Sequence, residues 1–228
     1  MNSPNEPAHT SESPESTATT RIRPRIGRAP GSKNSAPQAR AVRTREAIIA
    51  VAARHFDTDG YGQTSMNTIT HTGKFARGAM YYHFPSKEAI AQQLISDWNL
   101  AVDESINDAA VDAAVGTGSD RLTAIFSSLA LKIADDTNLR AGMKLTLEPS
   151  IDNGAAFARW VDAVSGIVET AISAGEYADG PIAHRLAWNL CSGTVGAVQA
   201  AATLREDVDV ATRVQDVVSA HLRSIGTT

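Results

Sequence analysis

The sequence predicts an all-α protein in which three short helices precede a larger helical domain. Apolar residues recur at helical spacing from residue 43 onwards, and no segment shows the alternation of β-branched residues that is typical of a strand. At 228 residues, 43 % of them hydrophobic, the chain is long enough to bury a sizeable core.

Residues 1–40 are predicted to form a disordered tail, because they are rich in Ser, Thr, Pro and Asn and show no hydrophobic periodicity. The second half of this tail is basic. Two interpretations stay open for it: an arm that follows phosphates or enters a minor groove of DNA, or a solubilising extension. The basic residues are Arg21, Arg23, Arg25, Arg28, Lys33 and Arg40.

Hydrophobic spacing and turn residues then place the helices in order. Thr64 or Ser65 would cap the second helix, a tight turn through Gly73 and Lys74 separates it from the third, and a fourth helix begins at Lys87. Apart from this fourth helix, the predicted helices cover about 43–59, 65–72, 76–83, 120–135, 139–148, 154–174, 181–203 and 207–224.

Charge is divided unevenly along the chain. Residues 1–95 hold 12 Lys and Arg against 7 Asp and Glu, whereas residues 96–228 hold 9 against 18. A basic front on an acidic body indicates nucleic acid as a partner at one end only.

Other classes of protein fit the sequence poorly. The longest apolar run, 47–53, is far shorter than the roughly 18 residues of a membrane span, and no secretory segment is present, so we expect a cytoplasmic protein without a membrane partner. Cys191 cannot form an internal disulfide and is interpreted as a buried thiol. We expect no metal site, cofactor or enzymatic activity, because the histidines lack a paired carboxylate and no catalytic motif occurs; turnover of a lactone would contradict this.

The second and third helices form a helix-turn-helix unit whose third helix fits a DNA major groove. Arg77 and Tyr81, four residues apart, share its outward face, and Arg77 can fork onto a guanine edge or a phosphate. Gly78 lets the backbone approach the duplex. The side chains with donors for phosphates are Tyr81, Tyr82 and Lys87, and those facing the core are Phe75, Ala79, Met80 and Phe84.

Residues 60–90, GYGQTSMNTITHTGKFARGAMYYHFPSKEAI, resemble the DNA-binding domain of the tetracycline-repressor (TetR) family of bacterial transcription regulators. The resemblance implies a helix-turn-helix DNA-binding domain over 41–88 and a ligand-binding and dimerisation domain over 89–228. The candidate DNA-binding residues are Arg43, Thr64, Ser65, Lys74, Ala76, Arg77, Gly78, Tyr81, Tyr82 and Lys87.

The turn departs from the family pattern of Ala-Gly, an apolar residue and then Ser or Thr. The chain has Gly73-Lys74-Phe75-Ala76, so the turn glycine is displaced by one position. Ala76 leaves the third helix without a hydroxyl cap, at a cost of about 1 kcal/mol. Lys74 can offset this loss by contacting a phosphate.

Three later segments resemble the γ-butyrolactone autoregulator receptors of actinobacteria: NLRAGMKL (138–145), FARWVDAVSGIVETAISAGE (157–176) and LCSGTVGAVQAA (190–201). In that subfamily a tryptophan on the helix matching 157–174 lines the ligand pocket, and the match falls on Trp160. Its neighbours at helical spacing are apolar, so it offers one N–H donor in an apolar wall, which suits a small, mostly apolar molecule with a carbonyl. The alternative is a tryptophan of the bundle core.

Other candidates for the ligand site carry alternatives of their own. Thr194 would turn a hydroxyl inward, towards either a backbone carbonyl or the ligand. Trp98 would touch the ligand or serve packing alone. The candidate ligand-binding residues are Trp98, Met143, Leu147, Trp160, Val164 and Thr194.

Small residues and the last amphipathic helix predict a four-helix interface between two chains, with an intrachain contact as the alternative. The resemblance implies a homodimeric repressor that leaves a palindromic operator when a γ-butyrolactone-type molecule binds, controlling secondary metabolism. A butenolide, furan or antibiotic ligand, a pseudo-receptor without a lactone, and activation instead of repression stay open. The interface residues are Gly193, Gly196, Ala197, Ala200, Ala201, Val210, Val214, Val217, Val218 and Leu222.

Overall fold

The computed structural model of the protein describes residues 35–112, 116–204 and 208–225, and every regular element in these ranges is an α-helix. The all-α prediction is confirmed. The helices are α1 Ser35–Thr58, α2 Met66–Thr72, α3 Arg77–His83, α4 Lys87–Asp112, α5 Gly118–Asp135, α6 Thr137–Leu145, α7 Ala156–Ser173, α8 Pro181–His184, α9 Leu186–Thr203 and α10 Val210–Ser224.

Several helix boundaries differ from the predicted ones, including those of α1, α7 and the helix predicted over 181–203. Helix α1 begins at Ser35, so residues 35–40 are helical and do not belong to a disordered tail; residues 1–34 lie outside the described residues. Helix α7 begins after Ala155, whose φ of 54° is left-handed. The helix predicted over 181–203 is divided at Arg185, which ends α8 and precedes α9.

The described residues pack into two apolar cores that share helix α4. Its N-terminal half, including Ile90 and Leu94, packs with α1, α2 and α3, whereas Trp98 and Val102 pack with α5, α7 and α9. Because α4 runs unbroken through both cores, the division predicted after residue 88 falls within one continuous helix in the structure. No described helix is long and apolar enough to cross a membrane.

The C-terminal helix α10 uses much of its apolar face inside the chain. Val214 and Val218 are buried against the second core. A Cβ atom added to Gly193 of α9 would lie 2.6 Å from Cγ1 of Val217, so this glycine also serves an intrachain contact. The predicted interface residues are thus divided, and those that remain on the exposed face of α9 include Gly196 and Ala200.

Candidate DNA-binding surface and small-molecule site

Helix α3 presents the outward face that its sequence predicts. Met80 is fully buried and anchors the helix, while Arg77, Gly78 and Tyr82 are exposed. The guanidinium carbon of Arg77 lies 5.8 Å from the ring centre of Tyr81, which is 43 % exposed. The structure therefore brings a cation and a phenol ring together on an accessible surface, and the phenol of Tyr82, whose ring contacts His83, is exposed as well.

Arg45 of α1 holds the C-terminal end of α3 in place. Its guanidinium carbon lies 5.0 Å from the ring centre of Phe84, and its Nη2 donates a hydrogen bond of 2.5 Å to Oε1 of Gln93. Gln93 in turn donates to Asp97. The sequence prediction missed Arg45, because no local pattern shows that its guanidinium reaches the phenylalanine just beyond the end of α3.

The turn between α2 and α3 places its left-handed residue at Lys74. Gly73 has an ordinary φ of −81°, whereas Lys74 has a φ of 52° and an exposed side chain. Gly73 is needed for space instead, since an added Cβ would lie 2.0 Å from the Phe75 ring. Ala76 caps α3 without a side-chain hydrogen bond, as its sequence indicates.

Thr64 and Ser65 have different roles at the start of α2. Ser65 is the cap, because its hydroxyl accepts a hydrogen bond of 3.0 Å from the backbone N–H of Thr68, and it stays exposed. Thr64 is only 3 % exposed and donates to the carbonyl of Gly60. Its expected contact with DNA is therefore inconsistent with the structure, because the hydroxyl is buried and already bonded.

Lys87 is held inside the helix-turn-helix domain rather than extended towards solvent. Its Nζ donates a hydrogen bond of 2.8 Å to the carbonyl of Tyr61 and lies 3.9 Å from the centre of that ring. Burial, together with the charges of Glu88 and Glu148, raises the pKa of the Tyr61 phenol. This contact ties α4 to the segment between α1 and α2, so the expected phosphate contact of Lys87 is not the arrangement observed. Arg43, by contrast, is exposed on α1.

Two histidines have carboxylate partners that the sequence prediction had ruled out. Nδ1 of His55 lies 2.7 Å from Asp59, and its Nε2 lies 3.0 Å from the hydroxyl of Thr72, so this ring joins the ends of α1 and α2. The bond from His55 lowers the pKa of Asp59. His184 lies 2.7 Å from Asp179. Both pairs hold helix ends at the surface, and among the described residues no group of three or more ligating side chains could hold a metal ion.

Trp98 and Trp160 meet at the centre of the second core. Their ring centres are 5.1 Å apart in an edge-to-face arrangement, and the exposed fractions of their side chains are 0 % and 2 %. Phe126 and Phe157 complete the aromatic cluster, with ring centres 6.0 and 5.9 Å from that of Trp160. Helices α4, α5 and α7 therefore each contribute to one aromatic site.

Both indole nitrogens of this pair lack a hydrogen-bond partner within the described part of the chain. A buried polar group without a partner costs about 1–3 kcal/mol, so such groups in a native core call for an explanation. Two N–H donors on adjacent rings suit a bound molecule that carries acceptor oxygens.

The other expected ligand residues do not all join this cluster. Met143 and Val164 are fully buried in the same core. Thr194 is also buried, and its hydroxyl donates 2.8 Å to the carbonyl of Leu190, which is the backbone alternative. Leu147 is 48 % exposed and lies outside both cores, because it follows the end of α6, so its expected role in lining the site is inconsistent with the structure. Cys191 also lies in the second core, and burial raises the pKa of its thiol.

Helix α6 connects the aromatic site to the helix-turn-helix domain. Met143 packs in the second core, while Ala141 and Leu145 pack in the first. Two cations of α6 meet Asp57 near the end of α1: Arg140 at 2.9 Å and Lys144 at 2.7 Å. The side chain of Asp57 is 10 % exposed, so this ion cluster lies largely out of water.

Comparison with known proteins is consistent with this arrangement. Residues 48–94 match the family described as bacterial regulatory proteins, tetR family. Over 142 residues the chain is 31 % identical to the A-factor receptor protein of Streptomyces griseus. This aligned region covers 62 % of this chain and 49 % of that protein. The chain spans about half the length or less of the curated relatives it matches.

Two solved structures share the fold. TylP, a TetR regulator from Streptomyces fradiae, is 27 % identical with a TM-score of 0.57, covering 83 % of this chain and 82 % of that chain. A γ-butyrolactone receptor (ArpA-like protein) is 21 % identical with a TM-score of 0.69, covering 82 % and 89 % of the two chains. The resemblance predicted from the sequence is confirmed at the level of the N-terminal domain and the helical architecture.

Proposed function

We propose, from the TetR-type DNA-binding domain at residues 48–94 and the aromatic site behind it, that the protein is a ligand-responsive transcriptional repressor of the γ-butyrolactone receptor type. It binds a palindromic operator as a homodimer in the cytoplasm and leaves the operator when a neutral lactone occupies the site at Trp98 and Trp160. Through this release, the protein controls genes of secondary metabolism.

The observation that carries the proposal is the pair of unpartnered indole donors in an otherwise apolar core. A γ-lactone carries a carbonyl oxygen and a ring oxygen, and it buries an apolar substituent at the same time. Apolar sites with a few well-placed donors are typical of small-molecule pockets. The name of the A-factor receptor protein describes a receptor, which agrees with a ligand-responsive protein.

Helices α4 and α6 provide the route from the ligand to the DNA. Trp98 belongs to α4, which also carries Ile90 and Leu94 of the DNA-binding core. A ligand that separates the two indole rings would move α4 together with the helix-turn-helix domain. Such a ligand shifts the equilibrium only as far as it prefers the released form, and an effective switch requires several kcal/mol of preference.

On the DNA, Arg77 and Tyr81 would face base edges and phosphates in the major groove, with Tyr82, Gly78 and Lys74 beside them. Arg43, Ser65 and Ala76 are the other exposed candidates from the sequence. In a dimer, two such helix-turn-helix domains would contact two half-sites about one helical turn, roughly 34–36 Å, apart.

Trp160→Phe tests the site while keeping an aromatic ring, and it removes the N–H donor together with part of the buried indole. We expect the concentration of an alkyl-substituted γ-butyrolactone that releases half of the operator to rise about tenfold, which corresponds to one hydrogen bond of about 1.4 kcal/mol. Operator binding without lactone should change less than twofold. Gel shifts with increasing lactone measure both quantities.

Tyr177→Phe is the matched control, because it also removes one donor from a buried ring of the second core, but at a hydrogen bond to Ser119 outside the aromatic cluster. It should leave the half-release concentration unchanged. Equal release by the Trp160→Phe variant and the unaltered protein would refute the assignment of the site.

A further inference from the structure

A cleft lies at the surface between α4 and the N-terminal part of α7, beside the tryptophan pair. It consists of two adjoining parts of about 290 and 280 Å³, and both parts are lined by Asn99 and Arg159. Trp160 and Val102 line the inner part. The cleft therefore reaches the aromatic site from solvent.

The uncharged polar groups of the cleft both donate and accept hydrogen bonds. Gln92, Ser96 and Asn99 lie on α4, and Asn153 lies on the segment that precedes α7. Amides and hydroxyls of this kind suit the polar end of a neutral molecule that carries carbonyl and hydroxyl oxygens.

The charges of the cleft are unbalanced. Asp103 and Asp162 line its inner part and Asp152 its outer part, against the single guanidinium of Arg159. No ion pair within the described ranges engages Arg159, Asp103 or Asp162. A concave surface focuses the field of its charges, so this excess of carboxylates opposes the entry of an anion.

We propose that the cleft holds the polar end of the ligand and that Asp103 and Asp162 make the site select neutral molecules over carboxylates. This inference rests on the proposed function, in which the indole N–H groups of the tryptophan pair bind the lactone oxygens at the inner end of the cleft. Arg159 would donate to an acceptor oxygen of the neutral ligand.

The selection has a chemical consequence for a lactone signal. Hydrolysis of a γ-lactone breaks the acyl C–O bond with addition of water and yields a γ-hydroxy acid, which releases a proton to become a carboxylate. The two molecules share one carbon skeleton and differ in charge. A site that rejects carboxylates responds to the intact signal and ignores its hydrolysis product.

Titration calorimetry with an alkyl-substituted γ-butyrolactone and its ring-opened hydroxy acid tests this selection. For the unaltered protein we expect the lactone to bind at least about tenfold more tightly than the acid. The double variant Asp103→Asn and Asp162→Asn should reduce this ratio at least about threefold by improving binding of the acid, because two repulsive charges are removed. Arg159→Gln should weaken binding of the lactone.

The control is the double variant Asp108→Asn and Asp135→Asn, which removes two exposed carboxylates outside the cleft and should leave the ratio unchanged. If the lactone binds and releases the operator but the cleft variant leaves the ratio unchanged, the selection by Asp103 and Asp162 is refuted and the proposed function stands. Equal binding of lactone and acid to the unaltered protein would refute it as well. If the lactone neither binds nor releases the operator, the proposed function fails, and this inference fails with it.

Discussion

Lys74 occupies the backbone position of the helix-turn-helix turn at which glycine is favoured. Its φ of 52° is left-handed, while the glycine next to it has an ordinary φ and makes room for the Phe75 ring. A left-handed conformation costs a residue with a Cβ roughly 1–2 kcal/mol. The chain thus keeps a strained cation at the edge of the proposed DNA surface.

Lys74→Gly should raise the free energy of unfolding by about 0.5–1 kcal/mol, because glycine removes the left-handed strain but gains freedom in the unfolded chain. The same change should weaken operator binding, because the cation is removed. Denaturant unfolding and gel shifts measure the two effects. A fall in stability would contradict the strain at this position.

Lys87→Gln should lower the free energy of unfolding by about 1–2 kcal/mol, because it removes the interaction with the Tyr61 ring. The dependence of operator affinity on salt should keep its slope, since Lys87 is bonded within the domain. Lys74→Gln is the matched comparison and should reduce the slope by about 0.9, the value for one neutralised phosphate. A reduced slope for Lys87→Gln would show that this lysine leaves Tyr61 to bind DNA.

Among the helices, α6 makes an unusually close contact with α4. Gly142 faces α4, where an added Cβ would lie 2.3 Å from the carbonyl oxygen of Leu94 and 3.1 Å from Cβ of Trp98. Helix backbone cannot move aside as a flexible side chain can, so only glycine allows this contact. Arg140 and Lys144 then fix the same helix to Asp57 of α1.

Gly142→Ala should lower the free energy of unfolding by about 1–3 kcal/mol, as other overpacking changes do, and should alter operator affinity without touching a DNA-facing residue. Gly166→Ala on α7 is the control, because its added Cβ meets open space and a helical alanine stabilises by about 0.5–1 kcal/mol relative to glycine. Thermal unfolding and gel shifts measure both. Equal stability of the two variants would contradict the close approach of α6 to α4.

At the scale of the whole molecule, the exposed face of α9 is the surface on which the proposed dimer depends. Gly196 and Ala200 are exposed on α9, Trp188 near the start of this helix is 58 % exposed, and Leu204, just beyond its end, is 54 % exposed. Large apolar side chains beside small residues are typical of a helix that packs closely against another chain. The α10 valines stabilise the monomer core beneath this face.

Gly196→Arg should convert the dimer into a monomer and weaken operator binding at least about tenfold, because a single reading head binds DNA poorly. An added Cβ at Gly196 meets nothing within 4 Å in the monomer, so the fold should tolerate the change. Light scattering after gel filtration measures the mass. The control is Gly166→Arg on α7, where an added Cβ also meets open space, and it should leave the dimer intact. If the Gly196→Arg variant remained a dimer, the interface would lie elsewhere.

The helical class, the order of most helices and the outward face of α3 could be predicted from the sequence, because all of these follow from spacing along a local segment. It also pointed to Trp160, through a resemblance and through its apolar neighbours at helical spacing. Even the missing cap at Ala76 was evident, since a cap is a property of adjacent residues.

Features that depend on residues far apart in the chain became evident only in the folded structure. It buried Thr64, bound Lys87 to Tyr61 and left Leu147 exposed, and it placed Trp98 edge-to-face with Trp160. The physical reason is that spacing specifies which side of a helix is apolar, whereas packing between helices decides which polar group finds a partner and which pair of indoles is left without one.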